Sequence, residues 1–190
     1  KVFVVNNQRI SVTQRRSALD AKELAEAGFH GEQIFEILER VKMESSIYIT
    51  VDTLKFLKKG GRITPAAAAL GTLLRIKPVL QIQGEKLDSF SKVRTMKQAR
   101  AAMLSAAEKD LRERFADPEA ENTWLLVAHT QNDEMAAEFA KEIGEHYPKA
   151  GTVYGEPLSL SIACHIGPGS LAIAMSKKID IEAERKRYGL

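Results

Sequence analysis

"VDTLKFLKKGGRITPAAAALGTLLRIKPVL", residues 51–80, carries the densest punctuation in the chain. Its first part, "DTLKFLKKGG" (52–61), reads as a short helix that stops at Gly60 and Gly61. Thr64 suits an N-cap and Pro65 the first helical position, so "TPAAAALGTLL" (64–74) reads as a second helix. Apolar residues run around its whole circumference, which predicts burial on more than one side. "IKPVLQIQ" and "KLDSFSKV" then flank Gly84-Glu85 and read as a hairpin.

Upstream, "VFVVN" (2–6) is a β-branched run and reads as a strand. Amphipathic helices are expected over 17–28 and 32–42, followed by a strand at 46–51. This alternation predicts a parallel α/β layer. Downstream, the longest helix is expected over 95–115, a buried strand over 123–129 and a helix over 132–147. Strands follow at 152–158 and 170–176, then a charged, frayed C-terminal helix. The glycines at 60 and 61 mark the best boundary. Residues 1–61 read as the tail of one α/β domain and 62–190 as a second α/β unit.

The 190 residues are 44% hydrophobic and 28% charged, with both signs mixed, so a packed core is expected rather than disorder. The net charge of +3 is small and the basic residues are dispersed among acids, which argues against nucleic-acid binding. Cys164 is the only cysteine, so no internal disulfide forms, as fits a reducing, cytoplasmic setting. No apolar run reaches the ~18 residues a membrane helix needs, so no stable membrane insertion is expected. The start "KVFVVNN" lacks Met and opens directly in a strand, which reads as a fragment cut from the front of a longer protein.

Several stretches could carry chemistry. In "KKGGRITP" (58–65), Arg62 either holds a carboxylate or phosphate or is a solvated residue beyond a helix cap. The alanine-rich helix either leaves a slot for a hydrocarbon or packs tightly on a sheet. His129, at a strand end, is either a ligand contact or the cap of a neighbouring helix. In "CHIGPG" (164–169), adjacent Cys164 and His165 would point to opposite sides of an extended chain, poor geometry for a shared metal. Cys164 sits among apolar residues and reads as a small core side chain. His165 beside Gly167-Pro168-Gly169 reads either as an anion donor, with the turn's N–H groups, or as a buried structural histidine. No metal cluster or nucleotide loop is present, so no cofactor is expected.

Three stretches in order resemble the DegV family: residues 51–80, "KVRTMKQA" (92–99) and "HIGPG" (165–169), the last with Ile166 where that family has Thr. "NNQRISVTQRRSALDAKELAEAG" is similar to the family's strand–helix passage, with Asn6-Asn7 where Asp-Ser is usual. The resemblance implies a two-domain α/β protein. The remnant of a parallel α/β domain would precede a second domain with a mixed or antiparallel sheet. It implies a carrier, not an enzyme, that holds one long-chain fatty acid and presents it to a separate fatty acid kinase for bacterial phospholipid synthesis. On this resemblance His165, with Gly167 and Gly169, is expected to hold the carboxylate. Ala66, Ala69, Leu70, Leu73, Leu74, Ile76, Pro78, Leu80 and Ile166 are expected to line the acyl tail. Arg62 and Arg94 are expected to meet the head group or the kinase. The family's hydroxyl partners of the histidine are expected to precede Lys1. The alternative is an enzyme acting on an acyl or phosphorylated substrate with His165 as its acid–base group.

Overall fold

A computed structural model describes residues 1–69, 76–83 and 87–190. One mixed six-stranded sheet organises them, in the order β3-β2-β1-β6-β4-β5. The strands are β1 (Ser45–Thr50), β2 (Lys77–Ile82), β3 (Leu87–Val93), β4 (Thr123–His129), β5 (Tyr154–Pro157) and β6 (Leu171–Lys177). Neighbours are antiparallel except β4 and β5, a parallel pair joined through helix α6 (Asp133–His146). The expected hairpin is formed by β2 and β3; its turn at Gly84-Glu85 lies outside the described residues.

Side chains alternate across each strand, so each face is built from every second residue. One face carries Tyr48, Val79, Leu125, Val127, Leu171, Ile173 and Met175. The long helix α5 (Met96–Glu113) covers it with Ala99, Met103, Ala107 and Leu111, and α6 adds Phe139 and Ile143. Three- and four-residue spacing puts these on one stripe, as the sequence pattern requires. Buried in this layer, Asp110 accepts hydrogen bonds from Ser46 Oγ at 2.5 Å, Tyr48 Oη at 2.8 Å and Arg114 Nη1 at 3.0 Å. Burial and the bond to Asp110 push the Tyr48 hydroxyl above the usual tyrosine range. Asp110→Ala strands these donors, and a loss of about 3 kcal/mol is expected in urea unfolding; Tyr48→Phe, which removes one donor, costs only about 1 kcal/mol.

The other face is lighter: Ile47, Ile49, Leu80, Leu126 and the alanines at 128, 172 and 174. Against it pack Val12 of α1 (Ser11–Glu26), Leu57 of α3 (Lys55–Lys59), Ala67 of α4 (Pro65–Ala69) and Ile166 of α7 (Leu160–Ile166). A third cluster, Leu24, Phe29 and Ile37, joins α1 to α2 (Gly31–Arg40), with Tyr188 of α8 (Ile181–Tyr188) at its edge.

Residues 2–6 form no strand. Their β-branched sequence favours extension, but no described strand lies beside them to take up their hydrogen bonds. β1 therefore has no parallel partner and pairs antiparallel with both neighbours. The division expected at 61/62 falls between β1 and β2, which are adjacent in the same sheet. In α4, Thr64 Oγ1 caps Ala67 N at 3.3 Å as expected. Burial on several sides does not occur in the described turn: Ala67 is buried, while Pro65, Ala66 and Ala69 are exposed.

Candidate functional site

The alanines of β4 and β6 leave space that larger residues would fill. Over them lies a cavity of about 460 Å³, within the range that takes small apolar ligands. Ile49, Ala172 and Ala128 form one row of its wall across three paired strands, and Ile82 and Ile47 form part of the next. Leu57, Leu87, Leu158, Ile162 and Ile166 close the sides. The segment that enters α1 supplies Asn6, Gln8, Arg9, Ile10, Ser11 and Val12.

Polar groups also reach this wall: Ser11, Arg62 and His165. Among the described residues neither the Arg62 guanidinium nor the His165 imidazole has a hydrogen-bond or ion-pair partner. The imidazole rests on Gly60, where an added Cβ would fall 2.7 Å from His165 Nδ1. Ser11 opens a sixteen-residue helix in a left-handed conformation, φ 56°. The N-terminal N–H groups and dipole of such a helix favour an anion. Behind Ser11, Arg9 and Asp20 are buried together, Nη1 to Oδ2 3.8 Å, and Arg16 Nε donates to Asp20 Oδ1 at 2.8 Å. Desolvation lowers the Arg9 pKa and raises that of Asp20.

Several expected site residues stand elsewhere. The sequence around His165 is a helix, α7, not an extended segment. Helical spacing sends Ile162, His165 and Ile166 to the cavity and leaves Cys164 exposed, not packed in the core. Gly167 and Gly169 offer no free donors: Gly167 N–H donates to Ala163 O at 2.7 Å and Gly169 N–H to Thr130 O at 2.8 Å. Both glycines instead serve a tight turn, with φ 84° and 77°. Ala66 and Ala69 are exposed, Ile76 is half-buried, and Pro78 and Leu80 are buried, but none lines the cavity. Leu80 spends its side chain on the core beneath, and the wall's share of β2 is Ile82, two residues on. Leu70, Leu73 and Leu74 lie outside the described residues. Arg94 is exposed at the start of α5, outside the cavity wall, and its backbone N–H donates to Gln98 Oε1. His129 accepts from Asn132 N at 3.4 Å and so caps the approach to α6.

Expected hydroxyl partners were placed ahead of Lys1, yet the cavity has a hydroxyl of its own at Ser11. The wall residues Ile47, Ile49, Ala128 and Ala172 were also not anticipated. A signal for Ala172 exists: "LAIAM" in β6 alternates small and large residues, so one face of that strand is hollow. Among the described residues no cluster of three or more His, Cys, Asp or Glu could hold a metal ion, and no helix is long and apolar enough to cross a membrane.

The chain matches the family model "Uncharacterised protein, DegV family" over residues 1–178. It is 30% identical over 177 residues to a DegV domain-containing protein of Streptomyces coelicolor, covering 93% of this chain and 60% of that one. It is also 30% identical over 173 residues to protein DegV of Bacillus subtilis, covering 90% of this chain and 59% of the relative. Among solved structures, a fatty-acid-binding DegV family protein from Thermus thermophilus is 30% identical, TM-score 0.83, with 93% of this chain and 61% of that one covered. DegV of Bacillus subtilis, described as a fatty acid binding protein, is 29% identical, TM-score 0.79, with 94% and 61% covered. The chain thus spans about 60% of the length of the relatives it matches. With its mixed sheet, its cavity and a family match over residues 1–178, this chain belongs to the DegV family.

Proposed function

We propose that this chain binds a long-chain fatty acid, with the hydrocarbon in the cavity and the carboxylate at the mouth among Ser11, Arg62 and His165. The observation that carries this reading is an apolar cavity of about 460 Å³ bordered by a guanidinium and an imidazole that have no partner among the described residues. A fatty acid needs that pairing: hydrocarbon burial supplies about 0.8 kcal/mol per methylene, and a few donors fix the head group. The fatty-acid-binding descriptions of two relatives near 30% identity support it.

As in the family it resembles, the protein acts as a cytoplasmic carrier that presents its ligand to a separate fatty acid kinase for phospholipid synthesis. Arg94, exposed and away from the cavity, is a kinase contact in this reading. A carrier is preferred to an acid–base enzyme on the fatty-acid-binding descriptions of the same two relatives. The test is native mass spectrometry of the purified protein with added oleate. A bound acid is expected; no retained ligand and no uptake overturn the reading. His165→Ala and Arg62→Ala each remove a donor to a charged group, worth about 1.5–3 kcal/mol, so each is expected to weaken oleate binding about 10- to 100-fold. Affinity unchanged in either variant removes that residue from the site.

A further inference from the structure

The cavity face of the sheet changes character along its strands. β1 presents Ile49, then Ile47, then Ser45, and β6 presents their partners Ala172, Ala174 and Ser176. Ile82 of β2 stands opposite Ile47. Two steps are apolar and the third is polar. The polar step lies four residues from the first, roughly 13 Å along the strand.

Arg9 stands at that third step. Its side chain is 1% exposed. Nη1 donates to Ser176 Oγ at 2.8 Å and Nη2 to the Val41 carbonyl at 3.0 Å. A methyl terminus offers nothing to replace those bonds, so displacing the guanidinium would leave a buried charge unsatisfied. Past Ile47 and Ile82 there is a second cavity of only about 10 Å³, which also touches Arg9 and is edged by Lys42, Ser45 and Gln83. It has room for no more than a water.

We propose that Ile47 and Ile82, backed by the buried Arg9, form the floor of the acyl channel and set the chain length it accepts. This rests on the fatty-acid reading above, with the carboxylate at the Arg62–His165 mouth. A linear acid fits until its methyl end meets the two isoleucines. Beyond them each added methylene must either buckle the chain or enter a polar space.

The test measures competition of saturated acids, from about twelve to about twenty carbons, against a fluorescent fatty acid on the whole chain. For the unaltered protein, affinity is expected to rise with length and then fall. Ile82→Ala lowers the floor: the optimum moves about two carbons longer, and the ratio of long-chain to short-chain affinity rises about tenfold, as two further buried methylenes give. Ile82→Phe raises the floor and moves the optimum shorter. A length profile the same in the alanine and phenylalanine variants as in the unaltered protein overturns the inference. Failure of the unaltered protein to bind any acid overturns the fatty-acid reading instead.

Discussion

Gly167→Ala is expected to destabilise the protein by about 3 kcal/mol or more, and to loosen the mouth of the cavity with it. Two independent costs add. The backbone at Gly167 has φ 84° and ψ 174°, a region that side-chain-bearing residues scarcely visit and that costs of order 1–3 kcal/mol. An added Cβ would also stand 2.5 Å from Cδ2 of Phe56, a ring held on α3. Relief requires α3 and α7 to move apart. These two helices carry the elements that end in Arg62 and His165, so their separation disturbs both head-group donors at once.

Other glycines give the scale. At Gly169, φ 77°, the Cβ would meet the Asp52 carboxylate at 2.5 Å, the movable end of a side chain paired with Lys77. At Gly61, φ 64°, it would meet open space and only the conformational strain of about 1 kcal/mol remains. Urea unfolding of the three alanine variants is expected to rank Gly167 worst, then Gly169, then Gly61. A Gly167→Ala protein no less stable than Gly61→Ala shows that the Phe56 contact does not matter. In thermal unfolding the Gly167 loss corresponds to roughly 6–12 °C for a chain of this size.

The same turn shows which parts of the fold were legible. Strand β4 was placed residue for residue at 123–129, because a continuous apolar run between polar ends has one reading there. α5 and α6 were placed to within two residues from their apolar stripes. α7 was missed. It is seven residues long, and "LSIACHI" has no stripe that such a length can display. That one omission misplaced Cys164 and made Gly167 read as a donor that its own bond to Ala163 already occupies. "VFVVN" failed for the opposite reason: local preference was clear, but a strand exists only beside a partner.

Of the residues expected at the site, His165, Arg62 and Ile166 line the cavity. Arg62 sits in one short motif (58–65) and His165 with Ile166 in another (165–169), each contiguous in sequence. The sheet's share of the wall comes from residues of β1, β2, β4 and β6, which meet only through strand register. Its most informative members are alanines, whose contribution is the volume they do not fill. Until Ala128 and Ala172 are known to face the same side in adjacent strands, they read as ordinary core residues.

Those alanines lead to the second large effect: Ala172→Phe is expected to abolish fatty-acid uptake, by more than about 100-fold, while the protein stays folded. Ala172 is 1% exposed and stands between Ile49 and Ala128 in the wall. A phenyl ring projected from it occupies the space the hydrocarbon needs, so burial of several methylenes is lost. Overpacking of a filled core usually costs 1–3 kcal/mol, but here the ring enters a cavity of about 460 Å³. Its own burial offsets the strain, and the urea midpoint is expected to hold or rise. Ile173→Ala is the complement. Ile173 is fully buried on the opposite face against α5 and α6. Its loss lowers stability by about 2–5 kcal/mol and leaves the affinity of the folded fraction unchanged. The pair separates the two faces of one strand: one residue governs binding without stability, its neighbour stability without binding. Oleate retained at full affinity by a folded Ala172→Phe protein places the acyl chain somewhere other than this cavity.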